Sequence, residues 1–221
     1  MDEMQRFLQS AVHDLRAGLR RTGISAELLL HAEQQEREAV AAQLLQGLAK
    51  SEELLTGISR YATALAPGGY AIQLFSSSSA VRFALAHLEG EIRETGAKIS
   101  VGDLPEIAGD RDRLADLFEH LIGNALKFRG SHPPAVEIGA RRVPEGWVFS
   151  VKDNGIGIEP KYRDRLFMPF RRLHGAEVPG SGLGLATCKR ILDAHRGRIW
   201  IEDGGPSGAT FSFVLPATDG D

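Results

Sequence analysis

Three short stretches of this chain carry residue types suited to a nucleotide. The first is Asp153-Asn154-Gly155-Ile156-Gly157-Ile158, a carboxylate opening a glycine-rich loop. At the end of a strand such a carboxylate can point into a pocket and accept a hydrogen bond from an amine, as on adenine. The second is Gly180-Ser181-Gly182-Leu183-Gly184-Leu185, with glycines directly before a helix. Backbone N–H groups and the positive end of the helix dipole favour an anion there, and glycine lets a triphosphate come close. The third is Asn124-Ala125-Leu126-Lys127-Phe128. The Asn124 carbonyl oxygen suits magnesium, which takes few ligands from protein and leaves the rest to phosphates and water. Lys127 lies three residues on, on the same helix face, and can neutralise phosphate charge. Asparagine is mildly unfavourable inside a helix, so its place between apolar neighbours points to function.

Three more features belong with this set. Phe167-Met168-Pro169-Phe170 precedes Arg171, Arg172, Leu173 and His174, then Gly175 to Pro179. This reads as a short lid, with phenylalanines packing its root and Arg171 or Arg172 reaching phosphate. His120 lies one helical turn before Asn124 and faces the same site. It is either a contact to phosphate-bound water or metal, or a satisfied, partly buried histidine. His13-Asp14-Leu15-Arg16 opens the chain. In the seam of Leu8, Ala11 and Leu15, His13 falls on the outer face, where a neutral imidazole is accessible and titrates near physiological pH. An in-line nucleophile is what phosphoryl transfer needs. Asp14 can orient the ring or take its proton.

These residues need elements to hold them. Small or apolar residues recur at Leu8, Ala11, Leu15, Gly18, Thr22, Ser25 and Leu29, and again at Leu44, Leu48, Ser51, Leu55, Ile58, Ala62 and Leu65. Spacings of three and four predict two helices over residues 1–66, with a turn between His31 and Arg37. Val12, Leu19, Ala26, Ala41 and Leu45 widen the apolar faces beyond what one hairpin buries, so a homodimer forming a four-helix bundle is expected. Pro67-Gly68-Gly69 breaks the chain. Residues 67–221 then alternate: strand Tyr70 to Phe75, helix Ser78 to Thr95, strand Lys98 to Val101, helix Asp112 to Phe128. A hairpin of Val136 to Ala140 and Trp147 to Val151 follows, then helix Leu183 to His195. Arg198 to Glu202 and Thr210 to Leu215 close with a second hairpin. Ser76 to Ser79 are expected to cap the helix after them. Helices on one face of a mixed sheet give an α+β sandwich behind an all-α hairpin.

The chain has 221 residues, 43% hydrophobic and 25% charged, with net charge −3. That balance gives no electrostatic reason to expect nucleic acid. The sequence holds no apolar run of 18 residues for membrane insertion and no signal-peptide pattern. The single cysteine, Cys188, fits a reducing cytoplasm and reads as a small buried residue.

The combination resembles the ATP-binding domain of sensor histidine kinases, within the group shared with gyrase, Hsp90 and MutL. The likeness covers the whole chain: a dimerising phosphoacceptor hairpin, then the catalytic domain. His120 to Arg129 resemble its Asn-box. Phe170-Arg171-Arg172-Leu173-His174-Gly175 and Gly197-Arg198-Ile199-Trp200-Ile201-Glu202 look most like the output module of bacterial phytochromes. The resemblance implies ATP and Mg2+ as cofactors, Asp153 reading adenine, Asn124 on magnesium, and Thr210 near the adenine with Asp153. It implies phosphorylation of His13 and relay to a response-regulator receiver aspartate. The chain starts almost at the acceptor helix, so the sensor domain is expected elsewhere, on a missing part or another chain, with light as the input by analogy.

Three departures bear on activity, the first being His120, at a position often Asn in these kinases and Glu in the related ATPases. Gly18 stands where the family usually has a proline, so any helix bend there is milder. Ala17 replaces a usual Thr or Asn that positions water, which predicts weak phosphatase activity. The last two keep open an alternative, an ATP-binding dimeric scaffold with little phosphotransfer. A bare ATPase or serine kinase on the same fold would not need the acceptor hairpin.

Overall fold

The structure is a computed structural model describing residues 3–66, 69–171, 180–202 and 208–217. Helices α1 (Glu3–His31) and α2 (Arg37–Leu65) form the hairpin, and its turn falls between His31 and Arg37. They cross on small residues. A methyl added at Gly18 would lie 3.1 Å from Ser51 Oγ, and one at Gly47 would lie 3.0 Å from Thr22 Oγ1. Both hydroxyls are satisfied on their own helix: Thr22 donates to the Gly18 carbonyl at 3.1 Å and Ser51 to the Gly47 carbonyl at 3.0 Å. Gly18 therefore serves the helix crossing, since any side chain there would press on Ser51.

The second part is a mixed five-stranded sheet in the order β2 (Lys98–Val101), β4 (Ala135–Val143), β5 (Gly146–Asp153), β7 (Thr210–Pro216), β6 (Arg198–Ile201). Only the β2–β4 pair is parallel. Helices α3 (Ser77–His87), α5 (Arg111–Lys127) and α6 (Gly184–Ala194) bury their apolar stripes against it. Val136 and Ile138, Phe149 and Val151, and Phe211, Phe213 and Leu215 alternate along their strands to meet that layer. Phe149 and Phe213 stack at 5.0 Å, and Phe118 of α5 sets its edge on both at 6.0 and 5.6 Å. This aromatic anchor fixes α5, which carries Asn124 and Lys127. Asp110 caps α5, its Oδ1 accepting from the Asp112 and Arg113 amides, both at 3.1 Å.

The two-part architecture and the helix-on-sheet layering match the sequence reading; several details differ. The first strand, β1, spans Gln73–Ser76 rather than starting at Tyr70. The Ala71 amide is spent on Asp110 Oδ2 at 2.9 Å, so it cannot join a ladder. β1 pairs antiparallel with an unforeseen strand, β3 (Glu106–Gly109), as a separate two-stranded sheet. The helix expected over residues 78–95 divides at Leu88 into α3 and α4 (Glu89–Thr95). The serines do not cap α3 by side chain: Ser77 Oγ donates to the Pro105 carbonyl at 2.6 Å and Ser79 Oγ to the Ser76 carbonyl at 2.8 Å. A 3-10 turn over Pro160–Arg165 precedes the lid root and was not foreseen. β6 and β7 form the closing hairpin; the glycine turn assigned to it, and Pro67-Gly68, lie largely outside the described residues. Among the described residues no helix is long and apolar enough to cross a membrane.

Candidate nucleotide site

A cavity of about 420 Å³ opens between α5, the N-terminus of α6, the loop after β5 and α2. His120, Asn124, Lys127, Asp153, Gly157, Arg171, Gly180, Gly182, Leu183 and Gly184 all line it. The fold thus brings all three sequence boxes to one place. Asn124 and Lys127 sit on one face of α5, above the glycine turns.

Asp153 ends β5. Its Oδ1 accepts from the Gly155 amide at 2.8 Å and the Ala209 amide at 3.0 Å. Burial raises its pKa, and the two amide hydrogen bonds oppose that rise. The carboxylate is thereby held in one plane at the cavity wall. Gly155 lies behind the wall: a side chain there would strike the Phe128 carbonyl, which accepts from the Ile156 amide at 3.0 Å. Asn154 also works from behind, its Oδ1 accepting from Ala135 and its Nδ2 donating to the Pro133 carbonyl.

On the opposite wall, Gly182 has φ +70° and its carbonyl accepts from the Phe170 amide at 2.9 Å, tying the glycine loop to the lid root. A methyl at Gly180 would lie 2.5 Å from Lys127 Nζ, so the lysine lies directly over this loop. A methyl at Gly184 would lie 3.2 Å from His120 Nδ1. His120 Nε2 is fully enclosed and has no hydrogen-bond partner within the protein. Burial pushes the His120 pKa down to about 4, so the ring is neutral. An enclosed, unpartnered ring nitrogen beside a helix N-terminus, a lysine and a glycine cradle suits a polar anionic ligand with its water shell. Asn124, a neutral oxygen donor on the cavity wall, fits magnesium, which takes few ligands from protein. A metal here would rest on Asn124 and on the ligand's own oxygens.

Besides Gly155, three predicted residues do not line the cavity. Thr210 does not line this cavity; Ala209 and Phe211 do, and Thr210 faces a groove on the far side of the sheet. The alternation along β7 is the reason, since Phe211 and Phe213 turn inward. His13 and Asp14 also lie outside the cavity wall. They pair with each other, His13 Nδ1 to Asp14 Oδ1 at 3.0 Å, and the His13 side chain is 81% exposed. Arg171 is exposed at the rim, and the rest of the proposed lid, residues 172–179 with Arg172 and His174, lies outside the described residues.

Sequence reasoning missed one wall altogether. Glu53, Thr56, Gly57 and Arg60 of α2 line the cavity. Arg60 Nη1 donates to Glu119 Oε1 at 2.7 Å, and Glu119 Oε2 meets His87 Nδ1 at 2.9 Å. Beside them Phe7, Tyr61, Leu183 and Ala186 form a second buried cluster, in which the Phe7 ring lies 4.7 Å from Tyr61 and 5.5 Å from Phe170. The spacing of Glu53, Gly57 and Arg60 is helical, but only the docked domain shows what it faces.

A mixed sheet backed by helices, with a carboxylate, an asparagine-lysine helix and a glycine cradle around one cavity, defines an ATPase-type nucleotide domain. Residues 109–219 match the family described as histidine kinase-, DNA gyrase B-, and HSP90-like ATPase, and the chain belongs to that family as a sensor histidine kinase catalytic module. It is 39% identical to cyanobacterial phytochrome A of Nostoc sp. over 97% of this chain and 28% of that protein. It is 36% identical to the phytochrome-like protein Cph1 of Synechocystis sp. over 97% of this chain and 29% of the relative. The chain therefore spans under a third of the length of these relatives. Its fold resembles the histidine kinase AdeS of Acinetobacter baumannii, with TM-score 0.74 and 20% identity, covering 94% of this chain and 98% of that one. The histidine kinase ThkA, solved in complex with the response regulator protein TrrA, also gives TM-score 0.74 at 20% identity, over 96% of this chain and 61% of that one.

Proposed function

We propose that this chain is an ATP-dependent protein histidine kinase that phosphorylates His13 and relays the group to a response-regulator aspartate. The observation that carries this reading is the cavity uniting Asn124, Lys127, Asp153 and the Gly180–Gly184 cradle, on a chain whose hairpin presents an exposed His13–Asp14 pair. In this reading Asp153 accepts the adenine amine, Lys127 and the glycine amides hold phosphate, Asn124 holds Mg2+, and His120 Nε2 meets a phosphate oxygen or its water. Magnesium would supply charge neutralisation between phosphate oxygens. His13 supplies the nucleophilic ring nitrogen and Asp14 orients the ring or takes its proton. Transfer of a γ-³²P label from ATP to the chain tests the reading directly.

Asp153→Asn keeps the shape and removes the charge, and places an amide NH2 against the adenine amine or against the two backbone amides. We expect the Kd for ATP to rise at least 100-fold, measured by calorimetry, with the fold intact by circular dichroism. An affinity within threefold of wild type would remove Asp153 from base reading. Because burial raises the Asp153 pKa, ATP affinity should weaken on acidification from a higher pH than for an ordinary carboxylate.

The hairpin supports the homodimer. Leu30 is 78%, Leu45 65% and Leu19 55% exposed in the single chain, on helices whose partner faces are already packed. A second hairpin would cover them in a four-helix bundle. Leu45→Glu with Leu48→Glu should convert the dimer to monomer by light scattering, since each buried charge costs several kcal/mol or about that. An unchanged dimer mass would place the interface elsewhere. The free buried Cys188 supports a cytoplasmic setting.

One observation favours the alternative of a nucleotide-binding dimeric scaffold: His13 lies outside the cavity wall, so transfer within one chain requires the catalytic domain to leave this docked position.

A further inference from the structure

The α2 wall of the cavity has its own electrostatics. Glu53, Thr56, Gly57 and Arg60 follow an i, i+3, i+4, i+7 pattern, so they share one helix face, and that face meets the catalytic domain. The approach is closest at Gly57, where a methyl would sit 2.6 Å from Ser181 Oγ and 3.4 Å from Leu183 Cδ1. One turn before it, Glu53 Oε1 lies 3.8 Å from Lys127 Nζ. The same carboxylate oxygen lies 3.9 Å from where a methyl on Gly180 would stand. Glu53 therefore sits beside both groups assigned to phosphate: the lysine and the glycine cradle. A phosphate seated there meets a carboxylate within a few ångströms, in a partly solvated setting where the Glu53 side chain is 43% exposed and the repulsion is reduced but not removed.

Resting on the nucleotide reading above, we propose that Glu53 is an opposing residue of the nucleotide site, supplied by the hairpin. While the catalytic domain is docked on α2, its carboxylate competes with the ligand's phosphates for Lys127 and repels them from the cradle. Phosphate binding and docking on α2 then weaken one another, by the same factor in each direction. The adenine end, held at Asp153 on the other wall, is indifferent to Glu53. The effect is thus specific to the phosphate chain. Glu53 touches neither His13 nor Asp14 in any contact the structure shows, so it acts as a positioning residue for Lys127.

Calorimetry with the full chain separates these statements, using the magnesium complex of AMP-PNP as the charged ligand and adenosine as the uncharged one. Glu53→Gln should tighten AMP-PNP about three- to ten-fold, the scale of one like charge in a partly solvated site. The gain should shrink as salt rises, and adenosine affinity should stay unchanged. Gly57→Leu should displace α2 from the Ser181 loop while favouring the helix itself. It should tighten AMP-PNP likewise, and in that background Glu53→Gln should add nothing. An unchanged AMP-PNP affinity in Glu53→Gln overturns the proposal, as does an equal gain for adenosine or a full additive gain in the Gly57→Leu background. Wild-type chain that binds neither ligand overturns the nucleotide reading, and this inference with it.

Discussion

His13→Ala should abolish acid-labile phosphate on the chain after incubation with γ-labelled ATP and Mg2+, while nucleotide affinity stays within about twofold of wild type. The separation follows from position. His13 is exposed on α1 and outside the cavity wall, so truncating it leaves the binding residues untouched. Three of the other described histidines are poor substitutes. His195 is held at both ring nitrogens, Nε2 accepting from the Asp110 amide at 2.9 Å and Nδ1 meeting the Ile191 carbonyl at 2.7 Å. His120 is enclosed, and His87 is engaged with Glu119. A phosphorylated imidazole is lost in acid and kept in alkali, whereas a phosphoserine survives acid, so the stability of the label identifies the acceptor. Asp14→Asn should keep the label but slow it by about 100-fold or more, because the ring loses its orienting carboxylate, a contribution of general-base size. Label persisting in His13→Ala would sink the acceptor assignment. Its absence from wild type that still binds ATP would favour the scaffold.

The site was legible where local sequence and strand or helix period agree. Asn124 and Lys127 lie three apart on an amphipathic helix whose core face, with Leu117, Phe118, Leu121 and Ile122, is set by the 3.6 period. Once that face is buried, the other must look at the loop after β5 and at the α6 N-terminus. Thr210 was misplaced because the family resemblance overrode the alternation of Phe211, Phe213 and Leu215, which already turned Thr210 away. β3 escaped notice because Glu106-Ile107-Ala108-Gly109 is too short to show a period, and its pairing with β1 is non-local. The α2 wall escaped for a different reason. Glu53, Thr56, Gly57 and Arg60 fall outside the apolar seam of Ser51, Leu55 and Ile58, and nothing local marks Gly57 as the point where another domain's loop comes to rest.

Acid should loosen this fold largely through one ring. His120 has its pKa pushed down by burial from 6.5 to about 4, with Arg60 adding to the fall and Glu119 opposing it. The folded chain therefore binds the proton less well than the unfolded chain. The stability that depends on a neutral His120 is complete above pH 6.5 and is lost as pH falls from 6.5 towards 4. The loss reaches about 2 kcal/mol by pH 5 and at most about 3 kcal/mol below pH 4. His195 acts in the same direction, since burial lowers its pKa too, against the pull of Ile191 and Asp110. Asp153 acts in the other: its raised pKa means that protonation favours the folded state as pH falls. Urea midpoints at pH 7.5 and pH 5 measure the balance. Wild type should lose stability between them, and His120→Asn, which cannot titrate, should keep most of it. Equal losses in both chains would show that His120 is not the group that charges. A bound nucleotide sharpens the contrast: a phosphate or water that pairs with Nε2 gives the proton a partner, so acid should cost the nucleotide-bound chain less than the free chain.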